Sequence, residues 1–266
     1  TTPHRTTSPH LTRRDLLKAG GLALGALSVS SRAHAQTPKS GGTFVSAQTT
    51  EATGLDPQLV PAFSRSRRSP MMYNQLVRFD AEMNAVPELA ESWEVSKDGL
   101  TWTFKLRQGV KFHDGFRFTS RDVKATFDRV LNPENKLTAR GNHAKIKSVE
   151  LVDDATVRFK TDGPYPLFVE RLTAQVMQSE KVIKEKGHEW MQENPVGTGP
   201  YKLVKWTKKQ EHLLQRNDDY WGPKPAFKFV RIRIIPEQAT QIAELISGGV
   251  DIIKAVPPDQ MDVINK

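Results

Sequence analysis

The chain has 266 residues, of which 26% are charged and 37% are hydrophobic, and it carries a formal net charge of +9. This composition is typical of a globular protein, and the length suffices for one large domain or two modest ones. The sequence contains no cysteine. That excludes disulfides, thiolate metal sites, a cysteine nucleophile, cysteine-ligated iron–sulfur clusters and the acylated cysteine of a lipoprotein.

The first 35 residues have the features of a targeting segment. Arg13 and Arg14 resemble the paired arginines of the twin-arginine export signal. Residues 19–29 form a mildly apolar run that is too short to span a bilayer, and residues 33–35, Ala-His-Ala, fit the small-x-small rule for signal cleavage. We therefore predict a twin-arginine-type signal peptide over residues 1–35; the alternative is a disordered basic tail.

This segment accounts for much of the positive net charge of the chain. It holds five basic residues and one acidic residue and so contributes +4, which leaves +5 on residues 36–266. The positive charge is therefore not evidence for nucleic-acid binding.

The next part of the chain mixes strand and helix patterns. Residues 42–47 predict a first strand, residues 71–76 a helix and residues 77–79 a second strand. Leu55-Asp56-Pro57 lies between them, after a short polar loop. Three arginines within residues 65–68 form either an anion-seeking rim or a solvated surface, and the second interpretation is favoured.

Residues 87–115 show the strongest β pattern of the sequence. Apolar and polar residues alternate with a period of two, as in strands with one buried face. Asp98-Gly99 and Gln108-Gly109 are turn dipeptides. The pattern predicts a three-stranded meander with an aromatic face that packs in the core. The alternating apolar residues are Trp93, Val95, Trp102, Phe104, Leu106, Val110 and Phe112.

A capped helix and a hairpin follow the meander. Thr119 and Asp122 resemble a capping box, with Asp in place of the usual Glu or Gln. Apolar residues then recur at helical spacing to Leu131, and Asn132-Pro133 ends the helix. Residues 149–160 predict a hairpin over Asp153-Asp154.

The remaining elements alternate between helix and strand. Helices are predicted over residues 164–172 and over residues 180–186, the latter ended by Gly187. Residues 194–201, NPVGTGPY, lack the spacing of a phosphate-binding loop, so we interpret their glycines as a bend. The last third holds predicted strands over residues 213–216, 230–235 and 250–253, with a helix over residues 238–246, which indicates an α/β domain.

Several motifs are similar to those of one known family. PELAESW, DGLTWTFKLR and GVKFHDG, within residues 87–115, resemble the signature of the family 5 solute-binding proteins. NPVGTGPY and residues 217–222, NDDYWG, resemble further hallmarks of the same family. These proteins are the extracytoplasmic receptors of ABC importers for peptides, nickel chelates and related solutes. The resemblance covers residues 42–266.

The resemblance implies a two-lobed α/β periplasmic binding protein of type II-like architecture. Residues 36–73 and 173–266 would form a discontinuous first lobe, and residues 74–172 a β-rich insert domain. The full protein would be about twice this length, so we expect the sequence to be an N-terminal fragment that lacks the second lobe.

The same resemblance suggests the first lobe's share of a solute site. The segment after Leu55-Asp56-Pro57 would run beside the cleft, where Ala62 and Phe63 would meet an extended ligand. Arg140, in the loop after the capped helix, would meet a carboxylate. The alternatives are that Phe63 lies in the core and that Arg140 is solvated.

The sequence holds no recognisable catalytic or metal-binding motif. His188-Glu189 begins like a zinc-protease motif, but position 192 is Gln, so that metal helix fails. His113-Asp114 lies in a predicted turn, and we favour a structural role for it over a metal site. We expect no metal and no cofactor.

The resulting hypothesis is a monomeric periplasmic solute-binding protein, not an enzyme, that delivers its solute to the membrane subunits of an ABC importer. An oligopeptide or dipeptide is the favoured solute; a nickel chelate, haem, an opine or an oligosaccharide stays open. No nucleic-acid partner is expected. The alternative function is an exported cofactor-binding or hydrolytic enzyme.

Overall fold

A computed structural model of the protein describes residues 40–59, 69–258 and 261. The predicted signal peptide with Arg13 and Arg14 lies outside these residues, and so do Ala62, Phe63 and the arginines within residues 65–68. No helix in the described part combines the length and apolarity needed to cross a membrane.

The described residues form ten strands, four α-helices of five residues or more and two 3-10 turns. The strands are β1 (Thr43–Gln48), β2 (Val77–Phe79), β3 (Ala85–Pro87), β4 (Ala90–Val95), β5 (Thr101–Leu106), β6 (Ile146–Asp153), β7 (Thr156–Thr161), β8 (Tyr201–Thr207), β9 (Glu211–Arg216) and β10 (Phe229–Ile234). The helices are α1 (Ser120–Leu131), α2 (Phe168–Leu172), α3 (Glu180–Met191) and α4 (Gln238–Ile246), and the 3-10 turns are Pro133–Asn135 and Thr138–His143.

The strands form two four-stranded sheets and one small ribbon. The first sheet has the order β1-β10-β9-β8, with β1 parallel to β10 and the other pairs antiparallel. The second sheet has the order β4-β5-β7-β6 and is antiparallel throughout. β2 and β3 pair as an antiparallel ribbon. The domain boundaries after residues 73 and 172 stay predictions.

The predicted aromatic face of β5 lies in the largest hydrophobic core cluster. Phe104 is fully buried, and its ring lies 5.5 Å from that of Phe159 and 6.1 Å from that of Phe168, both in edge-on arrangements. Trp93 and Trp102 pack against the same cluster. Burial of each such side chain contributes about 1.5–3 kcal/mol, so this face holds the second sheet against α1 and α2.

The prediction of a third meander strand over residues 110–112 is wrong. These residues make a single bridge, between Lys111 and Arg117. β5 lies between β4 and β7, so both of its backbone edges are already hydrogen bonded. Val110 and Phe112 are nevertheless buried in the core, because alternation reports burial and not strand pairing.

Three other predicted elements are shorter than expected. The helix predicted over residues 164–172 begins only at Phe168. In the described residues the helix predicted over residues 71–76 ends at Met72, and Gln75 instead bridges Val176. The strand predicted over residues 250–253 is reduced to one parallel bridge, between Ile252 and Ser46.

The predicted capping box begins α1. The backbone N–H of Thr119 donates to Asp122 Oδ2 at 2.8 Å, and the Thr119 hydroxyl accepts from the Arg121 N–H at 3.3 Å. Val123, Phe127 and Val130 are fully buried against the second sheet's core and its neighbouring cluster. The cap and the apolar face therefore define this helix as the sequence predicted.

Candidate functional site

One edge of the first sheet collects the C-terminal ends of three strands. β1 is parallel to β10, and β8 and β10 both run antiparallel to β9, so all three end on the same side. In open α/β sheets, ligands bind outside the carboxyl ends of the strands. Glu51 follows β1 and Trp206 lies near the end of β8, so both are at this edge.

Glu51 and Trp206 meet at this edge. Trp206 Nε1 donates to Glu51 Oε1 at 2.9 Å, and the same oxygen accepts from the Lys209 N–H at 2.7 Å. The Trp206 ring stacks on His212 with centroids 5.4 Å apart. The carboxylate is thus held in place by a ring that is itself fixed by stacking.

Two open cavities flank the Trp206 ring. One, of about 250 Å³, is lined by Glu51, Gln192 and Lys208; the other, of about 400 Å³, extends to Trp190. Lys208 and Glu193 line both, and Lys208 Nζ donates to Glu193 Oε1 at 2.6 Å, which raises the pKa of the lysine. This edge therefore presents aromatic surface with charges of both signs, as the site of a small polar solute does.

A buried ion pair fixes the segment that leads away from Glu51. Asp56 is fully buried and pairs with the guanidinium of Arg129 from α1. Arg129 Nη1 also donates to Gln58 Oε1 at 2.6 Å and to Gln178 Oε1 at 2.8 Å, and Nη2 donates to His188 Nδ1 at 2.9 Å. Partial burial and the Arg129 charge lower the pKa of His188. These hydrogen bonds and the ion pair hold residues 56–58 against α1 and α3.

Arg140 is an exposed residue of the 3-10 turn Thr138–His143. Its Nε donates to the Leu131 carbonyl at 3.0 Å, and the same turn carries the buried residues Ala139 and His143. Leu59 packs against the cluster that contains Leu137 and Ala139. The turn that carries Arg140 is therefore a neighbour of the segment that ends at residue 59; its contact with a ligand stays a prediction, as do those of Ala62 and Phe63.

Asn74 joins three of the motifs that the sequence singled out. Its Nδ2 donates to Glu88 Oε1 at 2.8 Å, and its Oδ1 accepts from Thr198 Oγ1 at 2.9 Å and from Trp221 Nε1 at 3.2 Å. Glu88, Thr198 and Trp221 belong to PELAESW, NPVGTGPY and NDDYWG respectively. Burial raises the pKa of Glu88. These residues form a structural junction and do not line the sheet-edge cavities.

His113 ties a fourth motif to the same region. Its Nε2 lies 3.0 Å from the Gly199 carbonyl, and its Nδ1 lies 3.3 Å from the Gly197 N–H. These contacts suit the neutral ring with its proton on Nε2, and burial lowers the pKa of His113 to about 4. Within the described residues, no group of three His, Cys, Asp or Glu side chains is placed to hold a metal ion.

Four of these residues were not predicted from the sequence: Glu51, Trp206, Lys208 and Asn74. Glu51 and Trp206 are 155 positions apart, so no local pattern connects them. Asn74 carried a usable signal, since Asn74 and Gln75 are two polar residues flanked by the apolar residues 71–73 and 76–77.

The sequence is similar to those of known proteins. Residues 84–266 match the bacterial extracellular solute-binding proteins, family 5 Middle. The chain is 34% identical to the glutathione-binding protein GsiB of Pectobacterium atrosepticum over 217 residues, which cover 80% of this chain and 42% of GsiB.

Two solved structures superpose well. NikZ from Campylobacter jejuni, in complex with Ni(L-His), matches with a TM-score of 0.78 and 30% identity, covering 84% of this chain and 45% of NikZ. The oligopeptide-binding protein AppA from Bacillus subtilis, in complex with a nonapeptide, matches with a TM-score of 0.80 and 26% identity, covering 86% of this chain and 47% of AppA.

The chain spans less than half the length of each of these three proteins. The predicted fold class, part of a two-lobed α/β binding protein, is confirmed by the two superpositions.

Proposed function

Because the chain belongs to the family 5 bacterial extracellular solute-binding proteins, we propose that it is the first-lobe part of a periplasmic receptor that delivers a short peptide to an ABC importer. The observation that carries this proposal is the family match together with the charged and aromatic edge of the first sheet. Peptide is the favoured solute because AppA, a related structure, holds a nonapeptide.

The sheet edge suits the two ends of a peptide. The carboxylates of Glu51 and Glu193 can meet an ammonium group, and Lys208 can meet a carboxylate, since charge-assisted hydrogen bonds are the strong ones. Trp190 and Trp206 line the cavity between these charges. A chain held by main-chain bonds in addition would bind without strict demands on its side chains.

The proposed mechanism is closure of two lobes about a hinge. Closure would bury the solute between this sheet edge and the second lobe, and the closed form would be the one that the importer recognises. A single lobe leaves one face of the solute in water. We therefore expect this chain alone to bind peptides far more weakly than the full-length protein.

Native mass spectrometry of the full-length protein with its co-purified ligand tests the solute class. A peptide mass is the expected result. A nickel chelate, haem, an opine or an oligosaccharide would replace the peptide assignment and leave the receptor function standing, whereas a covalent turnover product would contradict the receptor function.

Calorimetry on the full-length protein tests the site. Glu51→Gln should weaken peptide binding about tenfold, because one charge-assisted bond contributes about 1.5–3 kcal/mol. Glu94→Gln, on the exposed face of β4, is the matched control and should bind as the wild type does. Equal affinities for all three proteins would remove the sheet edge from the proposal.

Phe63→Ala and Arg140→Ala test the earlier ligand assignments. We propose that Ala62 and Phe63 meet the solute's backbone and that Arg140 meets a carboxylate. Each variant should then weaken binding and leave the ligand-free melting temperature nearly unchanged. A lowered melting temperature with unchanged affinity would identify Phe63 as a core residue.

We further propose periplasmic export by the twin-arginine route. Arg13 and Arg14 carry this proposal. Replacement of both by Lys should leave the precursor in the cytoplasm, as cell fractionation would show. Unchanged export would contradict the route.

A further inference from the structure

His188 accepts a hydrogen bond from a buried arginine. Arg129 Nη2 lies 2.9 Å from His188 Nδ1. A guanidinium carries donors and no acceptor, so Nδ1 must be the acceptor and the neutral ring must carry its proton on Nε2. The contact therefore forms only while His188 is neutral, because a protonated imidazole has no nitrogen left to accept.

Arg129 is held too firmly to move away from a protonated ring. It is buried, and its guanidinium is fixed by the fully buried Asp56 and by the side-chain oxygens of Gln58 and Gln178. An imidazolium at position 188 would point an N–H at this second cation, which is unfavourable. His188 is therefore the partner that moves when it takes up a proton.

His188 has room to move. It is an exposed residue, and it lines an open groove of about 640 Å³ between α1 and α3. Gly187, which precedes it, interrupts α3 with a φ of 72°, a region that glycine adopts without the steric cost of a Cβ. Residues 188–191 are thus joined to the rest of α3 by a break in the helix and not by continuous helical backbone.

Within the described residues, two charged groups face His188 from other elements: Arg129 on α1 and Asp56 in the segment after β1. Partial burial and Arg129 lower the pKa of His188 below its ordinary value of 6.5, and Asp56 opposes them. The other charged side chains that line the groove are paired, Lys124 with Asp128, Lys184 with Glu180 and Arg121 with Asp154. The charged residues of α3 within one turn of His188 cancel in net charge, and they are Lys184, Glu185, Lys186 and Glu189. Because the folded-state pKa is lowered, the contact is complete at neutral pH and is lost as the pH falls through that pKa.

The Arg129 guanidinium joins the two segments that form the smaller sheet-edge cavity. Asp56 continues the segment that contributes residues 51–53 to one wall, and His188 precedes residues 192–193 of the other wall. Arg129 itself does not line this cavity. Its contacts with both segments nevertheless help to set the distance between the walls.

We propose that His188 is a pH-sensitive positioning residue, whose neutral ring ties the end of α3 to Arg129 and whose protonation releases that wall of the cavity. The Leu55 N–H donates to the Gln192 carbonyl at 2.8 Å, directly between the two walls. This bond should therefore open more often once His188 has left Arg129. A weaker hold on the solute at acid pH follows if the cavity is the solute site, and that consequence rests on the function proposed above.

Hydrogen–deuterium exchange at the Leu55 amide of the full-length, solute-free protein tests the proposal. Its protection factor, corrected for the intrinsic pH dependence of exchange, should fall about tenfold from pH 7 to pH 4.5. His188→Asn keeps an acceptor at the δ position and does not titrate, so this variant should keep its protection. His188→Ala removes the acceptor and should show low protection at both pH values.

The Phe104 amide in β5 reports global unfolding and should show the same protection in the wild type and in His188→Asn. His113 and Glu88 titrate in both proteins, so the difference between the two isolates His188. An equal loss of Leu55 protection in the wild type and in His188→Asn would overturn the proposal, as would an NMR spectrum with the neutral ring's proton on Nδ1.

Calorimetry with the tripeptide Ala-Ala-Ala separates this proposal from the proposed function. Affinity that falls at pH 4.5 in the wild type, but not in His188→Asn, would support both. A pH-dependent Leu55 amide with a tripeptide affinity that is the same in the two proteins would contradict the solute's placement in this cavity and still support the role of His188.

Discussion

Asn74 donates its side-chain amide to the buried Glu88 carboxylate, and the other Glu88 oxygen accepts from the Gln75 N–H at 2.7 Å. The pair sits where β2 begins and where the chain enters the second sheet. Because Asn74 Oδ1 is held by Thr198 and Trp221, one amide connects segments that are more than 100 residues apart. Glu88 therefore helps to hold these segments together, and its ionisation affects the stability of the fold.

The first prediction concerns the pH dependence at Glu88. Burial raises its pKa above the ordinary value of 4.5, so the folded state binds this proton more readily than the unfolded state does. The contribution is therefore greatest at low pH and is lost as pH rises through the raised pKa. The free energy of unfolding of the wild type, minus that of Glu88→Gln, should fall as pH rises from 4.5 in urea titrations; a flat difference would contradict this.

The second prediction concerns the pair of Asp56 and Arg129. Asp56→Ala leaves the guanidinium buried without its carboxylate, and removing one partner of a buried pair costs about 3–5 kcal/mol. Lys124→Ala removes one partner of an exposed pair on α1 and should cost less than about 1 kcal/mol. Urea unfolding of both variants checks the contrast. Similar losses would mean that Arg129 finds other partners.

The third prediction concerns Gly199, which packs directly on the backbone of residue 72. A Cβ at Gly199 would lie 2.4 Å from the Met72 carbonyl carbon, whereas a Cβ at Gly141 meets nothing within 4 Å. Gly199→Ala should lower the free energy of unfolding by about 1–3 kcal/mol. Gly141→Ala is the matched control and should change it by less than about 0.5 kcal/mol. The reverse order of stabilities would refute the close approach.

The fourth prediction concerns His113. Its pKa of about 4 lies below the ordinary value of 6.5. Between these two pH values the histidine is protonated in the unfolded state and neutral in the folded state. Stability is therefore fully present above pH 6.5 and is lost as pH falls towards 4. A ring-proton NMR titration should give a midpoint near 4, and the stability advantage over His113→Gln should shrink across this interval. A midpoint near 6.5 would show that the ring is solvated.

Sequence patterns correctly predicted the parts of the fold that depend on residues close together in the chain. The capping box at Thr119 and the alternation around Phe104 each depend on neighbouring residues, and each is where the sequence indicated. The helix predicted to end at Gly187 is instead kinked there and continues to Met191. The third meander strand does not form, because the edge of β5 with which it would pair is occupied by β7.

The candidate site was harder to predict for the same reason. Glu51 precedes the Leu55-Asp56-Pro57 triplet, which marked the region, but its partner Trp206 comes from a strand far along the chain. Only the topology of the first sheet brings the ends of β1 and β8 to one edge.

The parallel pairing of β1 with β10 also sets an order of events during synthesis. Thr43 pairs with Phe229, and Ser46 bridges Ile252 at the other edge of β1. At translation rates of about 5–20 residues per second, β10 is synthesised roughly 10–40 s after β1. The second sheet, whose strands all lie within residues 90–161, can close during that interval. The second sheet can therefore assemble before β1 meets its strand partner β10.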